Sequence, residues 1–247
     1  MPKHVLILSA EGAVLVAVDM VVRVARTRRN ELASELRRSE VPSMYVPSAF
    51  AQTDPAELFA FMESYSFALL VSTHEGEPFG THIPLLLERD TGPHGTLVGH
   101  MARANPHWRG LDGQPVLAVF SGPHAYVSPT WYESENVVPT WNYVAVHATG
   151  TFRLLDDPTA VAGILAATVA TYERNMPQPW RLETGTDYFN KMVKAIVGFR
   201  IEVTRLEGKW KLNQNHPPER REKVATVLER SASADAQEIA RLIRAAM

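Results

Sequence analysis

Between residues 68 and 155 the chain advances in short apolar runs broken by Gly, Pro and charged turns, and this pattern most narrows the folds open to it. Residues 68–73 are rich in Leu and Val, and Glu75-Gly76-Glu77-Pro78 turns the chain back. Residues 80–87 run apolar to Leu87, residues 90–95 turn again, and runs at 96–101, 116–121 and 125–128 follow. Residues 138–155 form a long, mostly β-branched and aromatic segment. Strands at 197–206 and 209–214 are expected further on, with Glu207-Gly208 as their turn. Short strands so regularly punctuated read as an antiparallel barrel or sandwich.

Helices interrupt this pattern at defined signals. Asp54 can cap, Pro55 suits the first helical position and Glu57 can close a capping box. Leu58, Phe59, Phe61, Met62 and Tyr65 then supply an apolar face. Residues 157–174 open on Asp-Pro and continue through Val161, Ile164, Leu165, Val169 and Tyr172. A shorter helix is expected at 187–194, and Pro217-Pro218 opens a tail of two helices at 218–230 and 234–246. The expected organisation is an N-terminal extension at 1–43, a barrel-based domain at 44–215 and a helical tail at 216–247.

At 247 residues with 45% apolar and 21% charged side chains, the chain suits one sizeable core and excludes a disordered or fibrous protein. Its net charge of −2 carries no signal of a nucleic-acid surface. The absence of cysteine removes disulfides, thiolate metal sites, iron–sulfur clusters and cysteine nucleophiles, and fits a reducing cytoplasm. Residues 5–22 are the most apolar run, but Glu11 and Asp19 interrupt it. A carboxylate at the centre of a spanning helix costs about 2.5–3.5 kcal/mol, which argues against a membrane anchor. No small-residue cleavage site follows, which argues against a signal peptide. The Arg-rich stretch 23–38 reads as a charged helical appendage, and the texture changes at Met44.

No phosphate loop, dinucleotide-binding glycine motif, HExxH or GxSxG is present, and the nine histidines show no metal-ligand spacing. The informative stretch is Gly99-His100-Met101-Ala102-Arg103-Ala104-Asn105-Pro106-His107-Trp108. A strand ending in small residues, with free backbone N–H groups and Arg103 and His100 at hand, makes an anion site, and Asn105-Pro106 would fix the turn. The alternative is a strand that simply ends in a polar turn. Thr81-His82-Ile83-Pro84 lies in an apolar strand where Pro84 lacks a ladder donor, which suggests an edge open to a flat ligand. The competing reading makes His82 a satisfied, half-buried histidine. Trp131-Tyr132 and Trp141-Asn142-Tyr143 are either core, interface or a stacking platform. In Lys211-Leu212-Asn213-Gln214-Asn215, strand alternation would place Lys211, Asn213 and Asn215 on one face.

Taken together with Met44-Tyr45-Val46-Pro47-Ser48-Ala49-Phe50, Tyr126-Val127-Ser128-Pro129-Thr130-Trp131-Tyr132 and VPTWNYVAVHATG at 138–150, these stretches resemble the PaiB-type family of FMN-binding negative transcriptional regulators. The resemblance spans residues 44–215 in order. It implies a mainly β fold with α, an FMN-binding split β-barrel with helical insertions and a C-terminal helical tail. It also implies a cytoplasmic homodimer with FMN in grooves between subunits. On that resemblance the phosphate cradle is His100, Met101, Ala102, Arg103 and Asn105. The strand for the isoalloxazine ring is Thr81, His82, Ile83 and Pro84, and Trp141, Asn142, Lys211 and Gln214 add stacking and amide contacts from either subunit.

Three functions remain open at this level: a flavin-binding regulator of transcription, a flavin-dependent oxidoreductase on a small substrate, and a haem-binding or haem-degrading barrel. Direct DNA contact by the tail is also open. Six basic side chains from Arg220 to Arg244 face five acidic ones from Glu219 to Glu238, whereas a recognition helix needs basic flanks. The competing expectation packs Val224, Val227, Leu228, Ile239, Leu242 and Ile243 against the barrel or a partner.

Overall fold

The computed structural model describes residues 43–247. The expected extension at 1–43 lies, apart from Ser43, outside the described residues.

The strands form one antiparallel sheet in the order β3-β2-β6-β7-β8-β5-β4, with β1 added on β8. In chain order they are β1 (Ala51–Gln52), β2 (Phe67–His74), β3 (Glu77–Pro84), β4 (Leu86–Glu88), β5 (Thr96–Ala102), β6 (Pro115–Val127), β7 (Thr140–Leu155) and β8 (Ile196–Lys211). Glu75 and Gly76 both adopt positive φ, and His74 pairs with Glu77, so the first hairpin is a two-residue turn of the kind such dihedrals permit. The helices are α1 (Pro55–Ser64), α2 (Pro158–Glu173), α3 (Asp187–Lys194), α4 (Pro218–Glu229) and α5 (Ala234–Ala245). Asp54 accepts from the Ala56 amide to cap α1, and Asp157 accepts from Thr159 and Ala160 to cap α2.

Alternate residues of the long strands face one core. Leu70, Ala118, Val146, Ala148, Phe152, Phe199 and Ile201 are fully buried, and Phe152 stacks on Phe199 at 4.7 Å. Leu58, Phe61 and Met62 of α1 close the core on one side. Val224, Leu228, Ile239 and Ile243 of the tail helices are buried, while Val227 is 39% exposed. Several of the tail's charges are paired: Arg241 with Glu238 and Arg244 with Glu222 and Glu229 within the tail, and Lys223 with Glu133 outside it.

Several sequence expectations are corrected. Residues 80–87 are two strands, because the chain leaves the ladder after Pro84 and the Leu85 amide donates to Ser66 O. The runs at 116–121 and 125–128 fuse into β6 through an irregularity between Ser121 and His124. Glu207-Gly208 does not turn; it continues β8. Gly208 is there because β1 and α1 press on it: a Cβ would sit 2.8 Å from Gln52 O and against Leu58. Lys211, Asn213 and Asn215 share no face, because β8 ends at Lys211 and Asn213 takes the left-handed conformation.

Candidate functional site

The residues picked out by sequence fall into two groups. In the first, β3 forms one edge of the sheet, and its end meets the turn that follows β5. Residues alternate along β3. Phe79, Thr81 and Ile83 point inward, and Gly80 and His82 are exposed. His82 is thus not half-buried; it stacks on Phe67, itself 66% exposed, at 6.1 Å. Thr81 Oγ1 accepts from Asn105 Nδ2 at 3.2 Å and lies 2.7 Å from His107 Nδ1. Asn105 also caps the short helical turn Pro106–Trp108 by accepting from the His107 amide.

Sequence reading passed over His107 as a ligand-site residue. It is wholly buried, stacks on Phe79 at 4.4 Å, and places its Nε2 2.8 Å from Ser72 Oγ. Burial, followed by the nearby His74, pushes its pKa below the ordinary histidine range, and burial does the same to His100. The Asn-Pro capping signal two residues earlier marked the turn, but nothing local showed that the histidine would face inward.

The turn is less open than free N–H groups would require. Arg103 N donates to Ala195 O and Asn105 N to Ala102 O. The Arg103 side chain is also engaged: Nε donates to Lys194 O and Nη2 to Ile196 O, both at 2.8 Å. These carbonyls end α3 and begin β8, where a helix C-terminus leaves acceptors unsatisfied. Arg103 therefore ties α3 to the turn while Ala102 and Ala104 stay exposed. Beside it lies a 360 Å³ cleft whose walls include Trp108, Leu155, Val161, Asn190 and Lys194.

The second group sits at the start of β7 and the end of β8. Trp141 is 53% exposed and pairs across the strands with Tyr126, ring centroids 5.9 Å apart. Lys211 Nζ donates to Thr140 Oγ1 at 2.6 Å. Gln214 closes its own turn, accepting from Leu212 N and donating to Trp210 O. Asn142 faces the barrel interior at 0% exposure, so its amide is turned away from the surface that Trp141 presents. Among the described residues neither amide atom of Asn142 has a hydrogen-bond partner. Tyr132 stacks on His216 at 4.7 Å, and burial raises its phenol pKa.

The two groups attach at different points of β8. His100 pairs with Gly198, whereas Lys211 pairs with Tyr143. From Gly198 to Lys211 the path along β8 is roughly 40 Å at ~3.3 Å per residue.

Residues 44–205 match the family described as "Putative FMN-binding domain". The chain is 35% identical over 203 residues to the protease synthase and sporulation protein PAI 2 of Bacillus subtilis, covering 81% of this chain and 96% of that protein. Among solved structures, the flavocytochrome Anf3 from Azotobacter vinelandii superposes with a TM-score of 0.52 at 18% identity, over 65% of this chain and 69% of that one. The FAD and heme binding protein from Mycobacterium smegmatis gives 0.51 at 18% identity, over 65% and 73%. At such identity these structures speak to the fold, a split barrel with an open antiparallel sheet and flanking helices.

Proposed function

The chain belongs to the PaiB-type family of FMN-binding split-barrel proteins, and from that premise we propose that it acts as a cytoplasmic, homodimeric repressor of transcription with FMN held between subunits. The observation that carries the dimer is a sheet apolar on both faces. Opposite the core, Leu69 pairs with Val119 and Val71 with Leu117, and all four are half-buried on the outer face. Strands apolar on both faces are those covered on both sides. His82 on the β3 edge borders this outer surface through its pairing with Leu69.

The residues offer the cofactor two surfaces. The exposed Ala102–Ala104 turn is the one a phosphate would meet, with the Arg103 and Asn105 amides and the Arg103 Nε and Nη2 already bonded to backbone carbonyls. The open β3 edge, with His82 stacked on Phe67, offers a strand for a flat ring. Trp141 on β7 and Lys211 on β8 lie at the end of the β7–β8 pair away from Gly198, the partner of His100, and a second copy supplies them. Bound FMN brings a redox-active isoalloxazine ring. The family's regulatory role supports a sensor whose flavin state governs repression. The internally paired charges of α4 and α5 favour a route to DNA other than those helices.

Complementation tests the shared site. Ala102→Glu and Trp141→Glu chains should each fail to hold FMN, by repulsion of the phosphate and by loss of stacking. Mixed and reassorted, they should regain about one site in four, since only a mixed dimer joins an intact turn to an intact Trp141. No recovery would place both contacts in one chain. A 27.5 kDa monomer that still binds FMN would remove the dimer altogether. NAD(P)H-driven turnover of the bound flavin would move the reading to an oxidoreductase.

A further inference from the structure

We propose that His107 is a positioning residue of the FMN site, setting the spacing between the β3 edge and the 102–105 turn. This rests on the reading that FMN lies along these two segments.

No ladder joins β3 to β5; they stand towards opposite ends of the sheet order. Among the described residues, the hydrogen bonds between β3 and the turn after β5 run through three side chains, Thr81, Asn105 and His107. His107 is their hub. One ring nitrogen meets Thr81 of β3 and the other meets Ser72 of β2, while its own amide is held by Asn105. Phe79 covers the ring face at 27°. A neutral imidazole has one donor and one acceptor, and each hydroxyl can take the complementary role, so either tautomer satisfies the node. Asn105 Nδ2 donates to the same Thr81 oxygen, which locks the turn to the strand at a second point. The ring therefore acts as a rigid spacer between the segment assigned to the phosphate and the strand assigned to the flavin ring. Such a spacer matters for a ligand that must touch both, because an error in separation weakens both contacts together.

Three variants in the full chain test this, with FMN and riboflavin as probes. Ser72→Ala removes one buried hydroxyl behind the ring. His107→Gln keeps a donor and an acceptor but loses the spacing. Ala102→Glu blocks the turn directly. Ser72→Ala and His107→Gln should each weaken FMN about tenfold, the effect of one misplaced hydrogen bond, and alter the visible circular dichroism of the bound flavin. The double variant should bind no worse than His107→Gln alone, because Ser72 acts through the ring. Should His107→Gln not fold, Ser72→Ala carries the test by itself. If both variants lower the melting temperature but leave FMN affinity and dichroism at wild-type values while Ala102→Glu abolishes binding, His107 serves only the fold and the proposal is overturned. If Ala102→Glu binds FMN normally, the site assignment itself falls, and the proposal with it.

Discussion

The turn after β5 and the junction of β7 with β8 treat their buried polar atoms in opposite ways. At the turn, Ser72, Thr81, Asn105 and His107 are all hydrogen-bonded to one another, and Trp108 donates to Arg103 O. At the junction, both amide atoms of Asn142 are buried with no partner among the described residues. An unsatisfied buried polar group costs about 1–3 kcal/mol, so the first region is set to stabilise the fold and the second is held at its expense. Equivalent-looking motif residues thus carry opposite signs: substitution should cost stability at the turn and relieve it at the junction.

Acid should produce the largest effect and strike both regions. Burial lowers the pKa of His100 and His107 near the turn, of His216 at the junction and of His147 on β7. The unfolded chain takes up these protons near the ordinary value of ~6.5, before the folded chain does. Below that pH the unfolded state binds more protons, so stability falls as pH drops from about 6.5 through the lowered folded values, and is fully present above. Melting temperature followed from pH 8 to 5 should be level at first and then decline. A flat profile to pH 5 would show that these rings are charged in the fold, and His107→Gln should soften the decline.

Next in size is His107→Ala. It strips two hydroxyls of a partner and removes the ring packed on Phe79, for an expected loss of about 2–4 kcal/mol in urea unfolding. The smallest effect, and the sharpest for the contrast, is Asn142→Leu. A side chain of similar shape without polar atoms should raise stability by about 1 kcal/mol. A loss at Asn142 as large as that at His107 would mean the amide is partnered after all, and the contrast between the regions would collapse.

Much of the fold was readable locally. Gly and Pro punctuation marked the hairpins, and Asp54 and Asp157 marked two helix starts because a cap acts within its own turn. The α3 bounds at 187–194 match the expected ones, and the structure adds the cap, with Thr186 accepting from the Phe189 amide. The candidate site was legible only as a set of positions. Thr81 and Asn105 do meet, but as parts of a polar node, and Gln214 spends its amide on its own turn.

What the sequence alone determined about this protein is therefore the order of its β and α regions, the helix starts and the family motifs, all properties of neighbours along the chain. Only the tertiary structure decided which way those motifs face. Gly208 reads as a turn until β1 and α1 are seen pressed against it within a continuous strand. Arg103 reads as a free cation until α3 presents its terminal carbonyls. His107 reads as one residue in a polar turn until β2 and β3 supply Ser72 and Thr81 to its two nitrogens. Each outcome depends on partners 24 or more residues away, and hydrogen-bond demand and steric exclusion act on whatever the fold brings within about 3–4 Å, not on what the chain places next.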